Sequence, residues 1–386
     1  MNSSRKKILI IISFVIILSG MSTLFWYFNR QEGGVAPEGN LPDSEGRVDS
    51  PGVSAGPVGT IITEGEEATA EIAQNVISGV FAPNSATVRY IERASGLVYE
   101  KPITGGTAIA LSDKRLDNAY IADWAGNGSA ALLTFSTDGV KPNFAHVAFT
   151  SSSSVVTVLP AETLFAAISP DGARVAFAKT STDGSIIASA LPNGTKPITL
   201  APHPQTQLLM SWDVSARPVV RNPGSAFAES LAWMVGGGTY TPIVPASYQL
   251  SLLERPSGQY ILYSAAEKST DAPSLYLIDT KTKTTTERLM TAPFATYPEK
   301  CAWARVNMSV VYCAVPTNIP KQSYDAWLRG EQHFTDRILQ WDILTGEVKT
   351  IVEGNFDAIE LAIAPDDSAL LFVNKNDSSL WGHMLK

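Results

Sequence analysis

Short apolar runs separated by tight polar turns recur along most of the chain, at a spacing of roughly 40 to 58 residues. The clearest copies are residues 164–177 (LFAAISPDGARVAF) and residues 359–372 (IELAIAPDDSALLF). In each copy a Pro-Asp turn separates two apolar runs, because Pro presets the turn dihedral and Asp bonds to the local backbone. The pattern therefore predicts pairs of antiparallel strands joined by tight turns.

Weaker copies follow the same plan at residues 76–91, 121–135, 248–263 and 301–315, and a degenerate copy lies between residues 208 and 220. Several copies continue with a third strand, and their length leaves room for a fourth. A repeat of this length with four strands is typical of the blades of a β-propeller. Seven copies start near residues 76, 119, 163, 207, 249, 300 and 358. We predict an all-β fold, a seven-bladed propeller, with six blades (if the degenerate copy is not a blade) or eight as the alternatives.

The last copy ends after three strands, at residues 380–386. Its missing fourth strand is predicted at residues 58–63 (VGTIIT), just before the first copy. Closing the ring with a strand from the other end of the chain removes the exposed sheet edges. The propeller domain is therefore predicted to span residues 58–386.

An uninterrupted apolar segment lies near the start of the chain. Residues 8–28 contain no charge, Pro, Asn or Gln and end in Phe-Trp-Tyr-Phe. As a helix this segment would span about 30 Å, the thickness of a bilayer core, with its aromatic residues at the interface. Residues 5–7 are basic, whereas only Arg30 follows the segment closely, so the positive-inside rule predicts a cytoplasmic N-terminus over residues 1–7. We predict one transmembrane α-helix, an uncleaved signal-anchor, with a cleaved signal peptide as the alternative.

Residues 29–57 are rich in Gly, Pro, Ser, Asp and Glu and nearly free of large apolar side chains. This composition predicts a flexible linker, because the segment cannot bury enough surface to offset its ordering entropy. The linker contains G-x-S-x-G at residues 52–56. That pattern marks a hydrolase nucleophile only between a strand and a helix, and the linker predicts neither.

The stretch SPDGARVAF at residues 169–177 resembles the WD40-like (PD40) repeat of TolB-type bacterial envelope propellers. It is also similar to the repeats in the propeller domains of dipeptidyl peptidase IV. The resemblance implies an exported propeller that serves as an interaction platform. Two departures from these families are expected, because the sequence predicts neither an α/β domain like that of TolB proteins nor a hydrolase domain like that of the peptidases. The shared motif consists of turn residues, so the resemblance assigns no functional residue.

The charge and composition of the chain limit the classes of partner that it could bind. The formal net charge is −8 and only 17% of the residues are charged. Nucleic-acid binding needs clustered Lys and Arg, so no nucleic-acid partner is predicted. The four histidines are scattered singly, and no metal-ligand or phosphate-loop pattern is present. We therefore predict no catalytic residue, no metal site and no cofactor.

The two cysteines of the chain, Cys301 and Cys313, fall on the two strands of one predicted hairpin, equidistant from a turn near Asn307. This register places them directly opposite each other, within reach of a disulfide. An extracytoplasmic location would allow the bond to form. We predict a structural disulfide, and a pair of buried free thiols is the alternative.

A long insertion at residues 316–336 joins the second and third strands of the sixth repeat. Long loops in compact domains are often functional, and Tyr, Trp and Arg are frequent in binding hot spots. The insertion is therefore a candidate binding loop, or else its aromatic side chains fold back and cap the blade. The candidate binding residues are Tyr324, Trp327, Arg329, His333 and Phe334.

These observations favour a membrane-anchored, single-pass protein whose propeller lies outside the cytoplasm and recognises an envelope protein or a surface polymer. The alternative is an envelope enzyme, of lyase or glycosidase type, with its site in the propeller funnel. A purely structural spacer is a third hypothesis. The first strands, which line the funnel, are mostly apolar and small, as at residues 166–168 and 361–363, which favours recognition over a polar active site.

Overall fold

The computed structural model describes residues 69–84, 86–150, 153–212, 217–256, 258–280 and 290–385. In these segments β-strands form seven four-stranded antiparallel sheets. The prediction of an all-β, seven-bladed propeller is confirmed. The degenerate copy near residue 207 is a true blade, although its first two strands have only three residues each.

The first strand among the described residues, β1 (Thr69–Ala73), precedes blade one, which consists of β2 (Val76–Phe81), β3 (Thr87–Glu92), β4 (Val98–Pro102) and β5 (Ile109–Ala110). Blade two consists of β6 (Ala119–Trp124), β7 (Ala130–Phe135), β8 (Asn143–Phe149) and β9 (Ser154–Val158). Blade three consists of β10 (Thr163–Ile168), β11 (Val175–Ser181), β12 (Gly184–Ala190) and β13 (Ile198–His203). Blade four consists of β14 (Leu209–Ser211), β15 (Val219–Arg221), β16 (Ala232–Gly236) and β17 (Thr239–Pro242).

Blade five consists of β18 (Tyr248–Glu254), β19 (Tyr260–Ala266), β20 (Ser274–Asp279) and β21 (Met290–Thr291). A short 3₁₀ turn (Pro298–Lys300) leads into blade six, which consists of β22 (Cys301–Trp303), β23 (Val310–Pro316), β24 (Asp336–Asp342) and β25 (Val348–Glu353). A short helix, α1 (Tyr324–Leu328), lies between β23 and β24. Blade seven contains β26 (Ala358–Ile363), β27 (Ala369–Asn374) and β28 (Ser379–Met384).

The ring is closed by β1, which pairs antiparallel with β28 as the fourth strand of blade seven. Ring closure by an N-terminal strand is as predicted, but the strand is Thr69–Ala73 and not residues 58–63. Ile72 explains the choice, because its side chain is buried against Gly382 and joins an apolar cluster with Val76 and Leu380. Residues 58–63 themselves lie outside the described residues.

Apolar side chains fill the spaces between neighbouring blades. Tyr312 and Ile338 of blade six contact Leu370 and Phe372 of blade seven, and similar clusters join the other blades. Each blade therefore buries both of its faces except at the rim. This arrangement leaves the first strands around a central channel, which is where a propeller offers an enclosed site.

The predicted disulfide is confirmed. Cys301 on β22 and Cys313 on β23 are register partners, with Cα atoms 4.1 Å apart, and their sulfur atoms are bonded. The bond links the first two strands of blade six and lies in the apolar cluster between blades five and six.

Among residues 69–385, as far as the structure describes them, no helix is long and apolar enough to cross a membrane. The predicted transmembrane helix (residues 8–28) and linker (residues 29–57) lie outside the described residues, so both stay predictions.

Candidate functional site

A cavity of about 260 Å³ lies at the centre of the ring and is lined by the first strands of all seven blades. Its rim includes Gly126, Pro170, Pro256 and Arg305, which belong to the turns between first and second strands. The cavity therefore opens on the face that carries these turns. We call the space the funnel cavity and that side of the propeller the turn face.

The wall of the funnel cavity is partly small and apolar, as the sequence predicted for the first strands. Ala122, Ala167, Ala302 and Ala362 contribute this part of the wall. The same wall also carries acidic and indole side chains that the sequence analysis did not single out. They are Asp123, Glu254 and Glu360, and Trp124, Trp212 and Trp303.

Glu360 owes its position to an irregularity in β26. Its φ angle is +52°, in the left-handed region, and the pairing of β26 with β27 shifts between Ile359 and Ala362. A bulge of this kind re-aims a side chain within a strand and is frequent beside functional sites. The carboxylate accepts a hydrogen bond from the Ser78 hydroxyl at 3.1 Å, and the Trp124 indole N–H donates to the same hydroxyl at 3.2 Å.

Glu360 is exposed to the water of the funnel cavity. The protein that surrounds this water raises the pKa of Glu360 above its usual value. The hydrogen bond from Ser78 acts in the opposite direction, and the negative charge of Glu299 raises the pKa further. Glu360 is thus an acid whose ionised form is poorly stabilised by its surroundings.

A second acidic position lies on blade five. Glu254 is only 5% exposed, and the neighbouring Trp303 is 3% exposed. In the described part of the chain the indole N–H of Trp303 has no hydrogen-bond partner. A buried donor without a partner costs free energy, so this N–H is a destabilising feature beside the cavity wall.

The turn that carries Arg305 is fixed by the neighbouring blade. The Asp367 carboxylate accepts backbone N–H bonds from Arg305, Val306 and Asn307 at 2.6, 3.0 and 2.8 Å. A second cavity of about 260 Å³ lies beside this turn, on the turn face, and includes Phe81 and Arg305 in its lining. The Arg305 turn of the rim is therefore held in place by blade seven.

The aromatic residues of the candidate binding loop do not form a surface patch. Tyr324 and Trp327 are each 1% exposed and Phe334 is 4% exposed, and all three contact the ring of the buried Tyr297. Their ring centroids lie 4.6, 5.3 and 6.4 Å from that of Tyr297. The side chains fold back and cap the blade, which was the alternative interpretation of this insertion.

Two of the five candidate residues, Arg329 and His333, do reach the surface, with side chains 59% and 48% exposed. Arg329 forms an ion pair with Glu331, 2.7 Å away. The structure thus separates the predicted set into three buried and two exposed residues. Binding by this loop stays a prediction that concerns Arg329 and His333 alone.

A buried ionic cluster explains why the insertion folds back. Lys300 Nζ lies 2.6 Å from Asp336 Oδ2 and 2.5 Å from Asp357 Oδ1, and all three side chains are fully buried. Asp357 also accepts hydrogen bonds from the Trp327 indole N–H at 3.0 Å and from the Phe334 backbone N–H at 3.1 Å. The Asp357 carboxylate thereby binds the insertion to Lys300, in the buried interior of blade six.

Burial shifts the pKa values of Asp336, a member of the cluster, and of Lys375, a lysine close to it. Burial raises the pKa of Asp336 to about 6, against the opposing attraction of Lys300. Burial also lowers the pKa of Lys375, which lies 4.1 Å from the centre of the Trp327 ring, to about 8. This cluster could not be predicted from the sequence, because its charged residues come from separate segments.

The histidines bond to nearby groups. Nε2 of His146 is 2.9 Å from the Gly172 carbonyl, and Nδ1 of His383 is 2.8 Å from the Thr69 hydroxyl. Among the residues that the structure describes, no group of three or more His, Cys, Asp or Glu side chains is placed to hold a metal ion.

No protein-family model and no curated protein matches this sequence. The resemblance to TolB-type repeats therefore stays a prediction. Solved structures do share the fold. An oligogalacturonate lyase from Vibrio parahaemolyticus is 9% identical with a TM-score of 0.60, and the match covers 85% of this chain and 96% of the lyase.

Two further structures are similar. An oligogalacturonate lyase in complex with manganese is 11% identical with a TM-score of 0.57, over 83% of this chain and 93% of that one. The β-propeller domain of the Trilobed protease from Pyrococcus furiosus, described as having an open velcro topology, is 12% identical with a TM-score of 0.50, over 80% and 95%. At such identities the likeness supports the propeller fold alone.

Proposed function

We propose that this chain is a recognition protein of the cell envelope, and that it binds a partner protein on the turn face, with the funnel cavity as its central contact. The supporting observation is the composition of the cavity wall, where three tryptophans and three carboxylates from five blades lie together. Tryptophan is enriched in binding hot spots, and concave sites with a few convergent polar groups are the usual ligand sites.

The proposal includes a location outside the cytoplasm. Residues 8–28 would hold the protein in the membrane, and residues 29–57 would let the propeller reach its partner. The disulfide between Cys301 and Cys313 fits this placement, because disulfides persist in oxidising compartments.

The test is cross-linking and co-purification of the full-length protein from its own membranes. The funnel variant carries Trp124→Phe and Glu360→Gln, which remove the indole N–H of Trp124 and the negative charge of Glu360 while keeping an aromatic ring and a side chain of similar size. The matched control carries Arg329→Ala and His333→Ala on the insertion. We expect a stoichiometric protein partner with the wild type and the control, and its loss with the funnel variant.

Other outcomes contradict the proposal. A partner lost only with the insertion control would move the interface to that loop. Retention of a glycan, with no protein captured, would identify a surface polymer as the ligand.

A second candidate function is an envelope lyase or glycosidase with its site in the funnel cavity. The favouring observation is Glu360, an acid in a cleft with a raised pKa, which is a property of general acids and bases. The charge of the wall argues against an acidic sugar polymer, because Asp123, Glu254 and Glu360 would repel its carboxylates.

The enzyme hypothesis is tested on the purified protein with oligogalacturonate and with neutral oligosaccharides. A lyase would release unsaturated products that absorb in the ultraviolet, and a glycosidase would release new reducing ends. Turnover that is lost with Glu360→Gln would support the enzyme, and no turnover on either class of substrate would leave recognition as the function.

A further inference from the structure

Arg255 is a buried cation at the turn-face end of blade five. It directly follows β18 and is only 9% exposed. Its guanidinium carbon lies 5.0 Å from the centre of the Tyr260 ring and 5.8 Å from the centre of the Trp303 ring. Tyr260 begins β19 and Trp303 ends β22, so the guanidinium group lies where blades five and six meet on the turn face.

This cation has no ion pair within the structure. Among the described residues no carboxylate oxygen lies within 4.0 Å of a nitrogen of Arg255, and its Nε atom is buried without a hydrogen-bond acceptor. The two aromatic faces attract the charge, but they do not replace the oxygen acceptors that its N–H groups have in water. A charge that is largely removed from water is costly unless an opposite charge pairs with it.

Two other buried cations show what Arg255 lacks. Arg89, whose side chain is 13% exposed, pairs with Glu100 at 2.8 Å, and the fully buried Lys300 pairs with Asp336 at 2.6 Å. In both cases the chain itself supplies the carboxylate. The planar fork of N–H groups on a guanidinium fits the two oxygens of a carboxylate, so this is the group that would complete Arg255.

The neighbouring turns of blade six are apolar at their tips. Val306, in the turn that follows Trp303, is 67% exposed, and Leu344 is 76% exposed. A hydrogen bond of 2.9 Å from the Ile343 N–H to the Ser309 carbonyl joins the two turns, and Ile343 packs in the same apolar cluster as Trp303. An arginine among aromatic and apolar side chains is the composition of hot spots in protein interfaces.

We propose that Arg255 binds an acidic side chain of the partner protein, an aspartate or glutamate carboxylate, and that apolar residues beside that carboxylate cover Val306 and Leu344. This inference rests on the proposed function, since it names a group by which the partner is recognised on the turn face. Arg255 lies outside the wall of the funnel cavity, so the two contacts are tested by different variants.

The test is calorimetric titration of the full-length protein in detergent with three probes. They are a capped Leu-Glu-Leu peptide, the same peptide with glutamine in place of glutamate, and galacturonate. Glutamine keeps the size of the side chain and removes its charge, whereas galacturonate has a carboxylate without apolar neighbours. We expect the glutamate peptide to bind about tenfold more tightly than the glutamine peptide, and more tightly than galacturonate.

Arg255→Met removes the charge and keeps an unbranched apolar side chain. It is expected to abolish the preference for glutamate, whereas Arg329→Met, on the exposed side of the insertion, should keep it. Because a buried cation without a counter-charge does not stabilise the fold, Arg255→Met should unfold at the urea concentration of the wild type or a higher one. Arg89→Met leaves Glu100 unpaired, so it should unfold at a lower concentration and retain the preference for glutamate.

Three results would overturn the inference. They are equal binding of the two peptides by the wild type, galacturonate as the tightest ligand, and an Arg255→Met variant that still prefers glutamate. Equal binding of the peptides, together with a loss of stability in Arg255→Met as large as that in Arg89→Met, would assign Arg255 to the fold alone.

The two proposals fail in different ways. If a protein partner is captured on the turn face by the wild type and by Arg255→Met alike, the inference about Arg255 is wrong and recognition stands. If no protein is captured and neither peptide binds, both proposals are wrong.

Discussion

Lys300 and Asp336 form an ion pair of 2.6 Å in which neither side chain is exposed to solvent. Asp357 makes a second contact with the same ammonium group, so one buried cation serves two buried carboxylates. Taking such charges out of water is expensive, and the pairing repays that cost only while every partner is present. The cluster therefore makes the closed insertion depend on a single lysine.

Lys300→Met should destabilise the protein by about 3–5 kcal/mol, because it leaves two buried carboxylates side by side without a counter-charge. Urea unfolding followed by tryptophan fluorescence measures the change. Arg115→Met is the matched control, since Arg115 and Asp117 form an ion pair with side chains 58% and 64% exposed. That substitution should change the free energy of unfolding by less than about 0.5 kcal/mol. Equal losses in the two variants would contradict this account.

The raised pKa of Asp336, about 6, predicts an unusual pH dependence of stability. The folded state binds this proton more tightly than the unfolded state, so the contribution of Asp336 to stability falls as the pH rises from about 4 to about 6. The free energy of unfolding of the wild type, relative to Asp336→Asn, should therefore decrease over this window, on the order of 2 kcal/mol.

Asp171 provides a control of opposite sign. The hydrogen bond from Ser169 lowers the pKa of Asp171 below its usual value. Its stabilising contribution is present above the unfolded pKa of about 4 and is lost as the pH falls through the lower folded value. Relative to Asp171→Asn, the wild type should lose stability only towards acid pH. If the difference in unfolding free energy between wild type and variant had the same pH dependence for Asp336→Asn and Asp171→Asn, neither difference would reflect the titration of the substituted carboxyl.

The seven repeats could be predicted from the sequence because the residue types of the turns mark where the strands end. The Pro-Asp turns at residues 170 and 365 fix where first and second strands meet, and the symmetric spacing of Cys301 and Cys313 about their turn fixes their register. The closing strand has no such local signal, since Thr69 and its partner His383 are 314 residues apart. Residues 58–63 and 69–73 both suit a strand, and only packing across the ring selects one.

The residues of the funnel cavity were harder to predict from the sequence, for a physical reason. Simple alternation along β26 does not reveal the bulge that re-aims Glu360 into the channel. Lys300 is a similar case, because a single lysine beside a strand is expected to be exposed to solvent. It is buried here because it pairs with two carboxylates that lie 36 and 57 positions further along the chain. The aromatic residues of the insertion were identified correctly as a group, but which way they face depends on that same buried cluster.

Trp327→Ala should cost about 3–5 kcal/mol, because it empties a fully buried site and removes the indole N–H that bonds to Asp357. Trp327→Phe should cost less, since it retains most of the ring contacts with Tyr297. Arg329→Ala, on the exposed side of the same insertion, should leave thermal unfolding unchanged. A stable, fully folded Trp327→Ala variant would mean that this ring does not cap the blade.

Removal of β1 tests how the ring is held closed. A chain that begins at residue 65 keeps this strand, whereas a chain that begins at residue 74 loses Ile72 and leaves the edge of β28 without a partner. We expect the shorter chain to be less stable by on the order of 3 kcal/mol, from the loss of a buried isoleucine and of the strand pairing, and to aggregate, because an exposed strand edge pairs with other chains. Denaturant unfolding and light scattering measure the two effects. Equal stability and solubility of the two chains would mean that blade seven holds together with three strands, and that the ring is closed by contacts between blades alone.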